Sequence, residues 1–132
     1  MSIGRMDVHQ IVNTLMAVVN YNDANVANGN VFGTLPKYAT IVGIQVNIDT
    51  AFNAGTTNGL TLGTAAGGNQ IATTTDTGSG TTGAKVITTG LATAETTADT
   101  PLYVTYTQTG TAASAGMARI AIQYVIRFSA FQ

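Results

Sequence analysis

Apolar and polar residues alternate strictly in the middle of the chain, between residues 42 and 49. The residues between the apolar ones are small or polar. A period of two predicts a β-strand with one buried face and one wet face. Pro36 precedes this strand, and the turn-forming run 53–59 ends it. A second short strand, residues 59–63, follows. The apolar positions of the central strand are Val42, Ile44, Val46 and Ile48.

The C-terminal half repeats this alternation in two longer segments. Leu102, Val104 and Tyr106 alternate with polar or aromatic neighbours behind Pro101. Over residues 118–128 the predicted inward positions are Ile120, Ile122, Tyr124, Ile126 and Phe128. Shorter apolar runs predict two more strands, an edge strand at 31–35 and another at 84–88.

Residues 7–20 fit two different periodicities. Their apolar positions match a helical stripe, and Asp7 with Gln10 resembles a helical capping box. Two pairs of adjacent β-branched residues and two asparagines instead favour a strand. We therefore predict a strand, with a helix as the alternative. The residues of the stripe are Val8, Ile11, Val12, Leu15, Val18 and Val19.

Turn-rich and low-complexity segments separate these elements. Residues 21–30 predict a loop with a tight turn at Asn28-Gly29. Residues 64–83 are mostly Thr, Gly, Ala and Ser, a composition typical of linkers. Because they lie between strands of one small chain, we predict a surface loop or weak hairpin rather than a domain boundary.

This pattern predicts an all-β, single-domain, antiparallel β-sandwich or jelly roll of about seven or eight strands. Turn signals recur at short spacing, and strands do not alternate with helices. A chain of 132 residues has the size of one domain. We divide it into an N-terminal arm or first strand plus loop at 1–30, a sandwich at 31–128 and a tail at 129–132.

The charge content is low, and it argues against binding to nucleic acids. Charged residues make up 8% of the chain, the net charge is −1, and the five basic residues are scattered singly. No basic stripe is present to neutralise a phosphate backbone, which argues against nucleic-acid binding. A surface with so little charge favours self-association.

The chain shows no sign of disulfides, a membrane span or a secretion signal. It contains no cysteine, and no segment reaches the length of about 20 apolar residues that a membrane span requires. The first residues have no apolar signal region. We therefore expect a protein made in the cytoplasm, stabilised by packing alone, with no membrane partner.

No constellation of residues predicts catalysis, a cofactor or a metal centre. The carboxylates are spread along the chain, and His9 is the only histidine. Asp49 could meet Asp76 or Asp99 at one end of the sandwich and bind a hard cation such as Ca²⁺. The simpler interpretation, which we favour, is that these aspartates cap turns. We predict a protein that is not an enzyme.

Apolar and aromatic residues outside the predicted core are candidates for contact with other proteins. Aromatic rings in particular contribute strongly to interfaces. Tails and sheet edges are where a subunit reaches a neighbour. The candidate interface residues are Val8, Ile11, Leu15, Tyr103, Phe128 and Phe131.

Two segments resemble a known family. These are LPKYATIVGIQVNIDTAFNAGTTNGLTLGTAAGGN and PLYVTYTQTGTAASAGMARIAIQYV, within residues 32–125. They resemble the jelly-roll decoration, or cement, proteins of tailed bacteriophages. The resemblance implies a non-enzymatic virion protein, a homotrimer on the outer surface of the capsid, bound to the major capsid protein and tying neighbouring capsomers together. It brings no catalytic residues.

Two further expectations follow. The N-terminal region and residues 128–132 would act as clasps that add strands to neighbouring subunits or to the capsid. The alternative function is a receptor- or carbohydrate-binding domain of a phage tail or fibre, in which Thr/Asn/Gly loops and tyrosine faces hold sugars.

Overall fold

A computed structural model describes residues 11–88 and 95–126 of the chain. Within them, seven strands and one short helix follow each other along the chain. The all-β prediction is confirmed, and residues 13–20 form a strand rather than a helix. The elements are β1 (Asn13–Asn20), β2 (Asn30–Leu35), β3 (Ala39–Thr50), β4 (Thr57–Gly63), α1 (Thr74–Thr77), β5 (Gly83–Ile87), β6 (Thr100–Thr109) and β7 (Met117–Ile126).

The strands form two antiparallel sheets packed face to face. One sheet has the order β1-β7-β3-β5 and the other the order β2-β6-β4. Consecutive strands therefore alternate between the sheets. The pairs β1·β7, β2·β6 and β3·β5 are nested, as if one long hairpin had been folded over on itself. This nesting is the jelly-roll topology.

The fourth nested pair is incomplete. An eighth strand would lie beside β4, where an isolated bridge joins Leu62 to Ala72. The N–H groups of Ile71 and Ala72 both donate to the carbonyl of Leu62, at 3.0 Å. Beyond this bridge the chain turns into α1 instead of continuing as a strand.

Segment 71–79 satisfies the free edge of β4 with side chains in place of a strand. The Thr77 hydroxyl donates to the carbonyl of Leu60 at 2.8 Å, and the Ser79 hydroxyl donates to that of Asn58 at 2.9 Å. Together with the Leu62 carbonyl, alternate edge carbonyls of β4 are thus capped. Thr77 and Ser79 are buried, as are Ile71 and Ala72. The surface loop or weak hairpin predicted for residues 64–83 thus contains a single antiparallel bridge, as a weak hairpin does, but segment 71–79 within it is largely buried.

The inner faces of the two sheets form one aliphatic core that includes two rings. Phe52 and Tyr106 are buried, with ring centroids 4.6 Å apart. The Tyr106 hydroxyl donates to Asn58 Oδ1 at 2.6 Å, and burial raises the pKa of this hydroxyl. Asn58 Oδ1 also accepts from the N–H of Ala54 at 2.8 Å. The polar end of Tyr106 is thereby satisfied inside an otherwise apolar core.

Two positions predicted to face inward are exposed. The register of β3 against β7 shifts between Ile41 and Gly43, so that Ile41 is buried and Val42 is 45% exposed. The bulge inserts one residue and reverses the parity at that end of β3. Ile126, at the end of β7, is 41% exposed. Phe128, the last inward position predicted for that strand, lies outside the described residues.

Candidate interface

The outer face of the four-stranded sheet exposes apolar side chains among the described residues. Residues on it align across the strands, because the pairings of β1, β7, β3 and β5 are in register. One row is Met16, Ala121, Gln45 and Val86; the next is Val18, Arg119, Asn47 and Ala84. We call these rows the outer-sheet surface.

Apolar side chains on this surface are concentrated at its two edge strands. Met16 and Val18 on β1 are 68% and 57% exposed, and Val86 on β5 is 76% exposed. The central positions carry shorter or polar side chains. Two shallow cavities of about 190 and 150 Å³ flank Ala121 and Gln45. The surface is therefore a shallow trough with apolar rims.

One ion pair, with Asp49, neutralises Arg119, the charged residue of the outer-sheet surface. Arg119 Nε and Nη2 donate to the two carboxylate oxygens of Asp49, at 2.7 and 2.9 Å. Asn47 donates a further hydrogen bond to Asp49. The hydrogen bond from Arg119 holds the pKa of Asp49 below its ordinary value, and the same contact raises the pKa of Arg119. A partner that covers this surface meets no unpaired charge from either residue.

The other two aspartates considered for a cation site have separate roles. Asp76 accepts from the N–H of Thr73 at 3.0 Å in the capping box of α1. Asp99 accepts from the N–H of Lys37 at 3.0 Å. Within residues 11–88 and 95–126, no three His, Cys, Asp or Glu side chains come together as a metal site. His9 lies outside these residues.

The predicted interface residues are distributed over different parts of the sandwich. Ile11 is 66% exposed just before β1. Leu15 points inward and packs against the core, over Gly33 of β2. Tyr103 is half-buried on β6, between Val31 of β2 and Gly63 of β4, and so belongs to the other sheet. Val8, Phe128 and Phe131 lie outside the described residues.

Sequence reasoning missed the exposed residues of β1. The helical stripe placed Leu15 and Val18 on one face, whereas a strand puts them on opposite faces. Once residues 13–20 are read with a period of two, Met16 and Val18 separate from the inward Leu15, Ala17 and Val19. The period-two alternation of residues 13–20 is present in the sequence. The apolar positions also fit a helical stripe, and for that reason Met16 was not selected as an exposed residue.

No helix in the described parts of the chain is long and apolar enough to span a membrane. This finding covers helices alone.

The fold is similar to that of chains in three bacteriophage capsid structures. A chain in the cyanophage Pam1 capsid asymmetric unit has a TM-score of 0.73 and 20% identity, and the match covers 96% of this chain and 93% of that one. A chain in the acidic stable capsid of Helicobacter pylori bacteriophage KHP30 has a TM-score of 0.66 and 13% identity, covering 89% and 90%. A chain in the capsid of Ralstonia phage GP4 has a TM-score of 0.62 and 18% identity, covering 97% and 92%.

At these identities the similarity establishes a shared fold. No protein-family model matches the chain, and no curated protein matches it. The jelly-roll fold predicted from the pattern of strands and turns is thus the fold of chains found in phage capsid structures.

Proposed function

We propose that this chain is a capsid decoration protein of a tailed bacteriophage. In this role it is a non-enzymatic virion structural protein that binds the outside of the major capsid shell and stabilises it. The observation that carries the proposal is the mutual coverage of the capsid matches. Each covers about nine-tenths or more of both chains. The matched chains are therefore of similar length to this one, and the shared fold takes up nearly all of each.

The surface chemistry of the chain supports a role in assembly. Its net charge is −1, and the Asp49–Arg119 pair cancels the charges on part of the outer-sheet surface. Apolar side chains remain exposed on both rims of that surface. Exposed apolar groups among neutral polar ones are typical of surfaces that contact other proteins. We expect the major capsid protein and further copies of this chain, as a homotrimer, to be its partners.

Binding to shells lacking the protein tests the proposal. Particles of the encoding phage are prepared without this gene product, and purified protein is added in increasing amounts. We expect saturable co-sedimentation with the particles and a higher temperature of particle disruption. Cryo-electron microscopy would then place the added density on the outer surface of the shell.

The tail or fibre alternative predicts a different outcome. If the protein fails to bind these shells but binds host cells or a glycan array, it is a receptor-binding domain and the decoration proposal is wrong. Bovine serum albumin in place of the protein controls for non-specific sedimentation.

The clasp hypothesis is tested by truncation. Removing residues 1–10 leaves β1 intact, and removing residues 127–132 leaves β7 intact. If the terminal segments are clasps, each truncation weakens shell binding while the fold, followed by far-ultraviolet circular dichroism, is retained. Unchanged binding by both truncated chains would contradict it.

A further inference from the structure

In the part of the chain that the structure describes, four strand edges end the two sheets, and three of them carry features that block pairing with another strand. β5 is short and carries Lys85 at its centre. The register of β2 is interrupted between Val31 and Gly33, and Pro36 follows the strand. The edge of β4 is capped by segment 71–79. Charges, bulges, prolines and covering segments are the usual means by which proteins prevent edge-to-edge association.

The edge of β1 carries one such feature, at its end, where the Asp23 carboxylate accepts from the N–H of Asn20 at 2.8 Å. Its sequence NTLMAVVN contains no charge and no proline, and its register with β7 is continuous from Asn13 to Asn20. Among the described residues, no strand pairs with its other side. A long, regular and uncharged edge is a template for another strand.

The hydrogen bonds at the end of β1 show which residues face this open edge. The N–H of Tyr21 donates toward β7, to the carbonyl of Gly116 at 3.0 Å, whereas the N–H of Asn20 donates to Asp23 at 2.8 Å. Backbone groups of successive residues in a strand point to opposite sides. The backbone groups of Met16 and Val18 therefore point away from β7, toward the open edge.

We propose that two copies of this chain pair through β1, antiparallel, about a two-fold axis at Ala17. The two four-stranded sheets then join into one continuous sheet. Met16 of each copy pairs with Val18 of the other by backbone hydrogen bonds, and Ala17 faces Ala17. The opposed residues between positions 14 and 20 are Leu15 with Val19, Met16 with Val18, Ala17 with itself, and Thr14 with Asn20, whose N–H already donates to Asp23.

The residues of β1 favour a second copy of this chain as the strand that pairs with its open edge. In this register Thr14 opposes Asn20 and the apolar residues between them oppose apolar ones, while Asn13 opposes Tyr21 beyond the end of β1. Inward residues meet inward residues, so both sandwiches lie on the same side of the joined sheet. Moving the axis by one residue to Met16 would place Thr14 opposite Val18 and Asn13 opposite Val19. No charge is repelled across the axis, since β1 carries none.

The contact is compatible with the proposed trimer but distinct from it. A two-fold contact uses the same patch on both copies and cannot close a ring of three. On a shell it would join one trimer to the next. The inference does not depend on capsid binding and is tested without capsids.

The contact is tested by measuring the mass in solution of three matched variants. All three substitutions lie on the outer-sheet surface. Met16→Lys and Val18→Glu place charges at the proposed contact, and Val86→Lys places one on the opposite edge strand, where the side chain is 76% exposed. By sedimentation velocity, we expect the first two to raise the dissociation constant of the β1 contact roughly tenfold and to halve the mass at moderate concentration. Val86→Lys should leave the mass unchanged.

Mixing the variants tests the register. In a 1:1 mixture of Met16→Lys and Val18→Glu, one cross-strand pair becomes Lys with Glu and the other stays Met with Val. We expect the mixture to recover the wild-type mass, although each variant alone has lost it. Failure of the mixture to recover it would exclude this register.

A cysteine cross-link gives an independent readout, because the chain has no cysteine of its own. Ala17→Cys places two thiols directly opposite each other, in a pair whose Cα atoms are about 4.5 Å apart and within disulfide range. Mild oxidation should give a covalent dimer, and Ala84→Cys on β5 should not. If Ala17→Cys gives no dimer, or if Val86→Lys halves the mass as Met16→Lys does, the proposal is overturned.

Discussion

Gly116, which directly precedes β7, is tightly constrained by its neighbours. A Cβ atom at this position would lie 2.5 Å from Cδ2 of Phe52. The Phe52 ring cannot move aside, because it is buried and packs on Tyr106. The backbone φ of Gly116 is also +153°, which disfavours a side chain. Gly116 is therefore fixed by the core.

We predict that Gly116→Ala lowers the free energy of unfolding by about 1–3 kcal/mol, since overpacking a well-filled core has this cost. Urea unfolding followed by circular dichroism measures it. Gly80→Ala is the matched control, because a Cβ atom at Gly80 meets nothing within 4 Å. The control should change stability by less than about 0.5 kcal/mol. Equal effects of both substitutions would contradict the packing argument.

The Asp49–Arg119 pair predicts a small pH dependence of stability. The pKa of Asp49 is lower in the folded chain than in the unfolded chain because Arg119 hydrogen-bonds the charged carboxylate. The stabilisation is therefore complete above the unfolded pKa, which is about 3.9 for Asp, and is lost as the pH falls through the folded pKa. Asp49→Asn should be less stable than wild type at pH 7 and equally stable at low pH.

A double-mutant cycle isolates this ion pair. Arg119→Gln should reproduce the loss seen with Asp49→Asn at pH 7, and the double variant should lose little more than either one. The effect will be modest and weakened by salt, because the pair lies at the surface. Fully additive losses would mean that the two side chains act separately.

At the scale of elements, segment 71–79 replaces the missing eighth strand. Its position depends on the cap of α1, where Thr73 Oγ1 accepts from the N–H of Asp76 at 3.2 Å and the Asp76 carboxylate accepts from the N–H of Thr73. Gly78, with a φ of +51°, ends the helix in the left-handed conformation. Both ends of a very short helix are thus fixed by local hydrogen bonds.

We predict that Thr73→Ala costs about 1 kcal/mol of stability, as is usual for loss of an N-cap hydroxyl. It should also speed hydrogen exchange of the Ile71 and Ala72 amides, which bond to β4. Thr75→Ala, at an exposed position of α1, is the control and should change neither measurement appreciably. If exchange at Ile71 is unaffected by Thr73→Ala, the helix cap does not position the bridge.

The elements that the sequence predicted well are those in which one face of a strand is buried. Alternation around Ile44 and Ile120 identified β3 and β7, because a period of two reports burial directly. It failed at Val42, where a bulge set by pairing with β7 reverses the parity. The burial of segment 71–79 could not be predicted, because it depends on hydrogen bonds from its Thr and Ser hydroxyls to carbonyls of the preceding strand β4, and a composition typical of linkers carries no trace of that contact.

The candidate interface was harder to predict than the fold. Met16 and Val86 lie in one row only because β7 and β3 join their strands, and strand order is a property of the whole sandwich. Of the residues that sequence reasoning selected, Leu15 faces the core and Tyr103 lies on the other sheet. Whether a single residue is exposed depends on which strands are neighbours. The local sequence around a residue does not determine that strand order.

At the scale of the whole molecule, the nested pairing determines which parts of the chain can fold early. β3 and β5 are the closest paired strands along the sequence of the four-stranded sheet, whereas β1 pairs with β7, so that Asn13 meets Tyr124. Non-local pairing of this kind makes folding slow, in milliseconds to seconds. Stopped-flow refolding followed by tyrosine fluorescence should show it, since the chain has no tryptophan.

The same nesting has a consequence for synthesis on the ribosome. β1 is the first of the described strands to be made, and its partner β7 is the last of them. At about 5–20 residues per second, β1 waits several seconds with both edges unpaired, in a segment without charge. A nascent chain arrested before β7 should therefore bind a chaperone that recognises extended apolar segments, and release of the complete chain should end that binding. The regular, uncharged edge that suits β1 for pairing with a second copy thus makes β1 the strand that needs protection while the protein is being made.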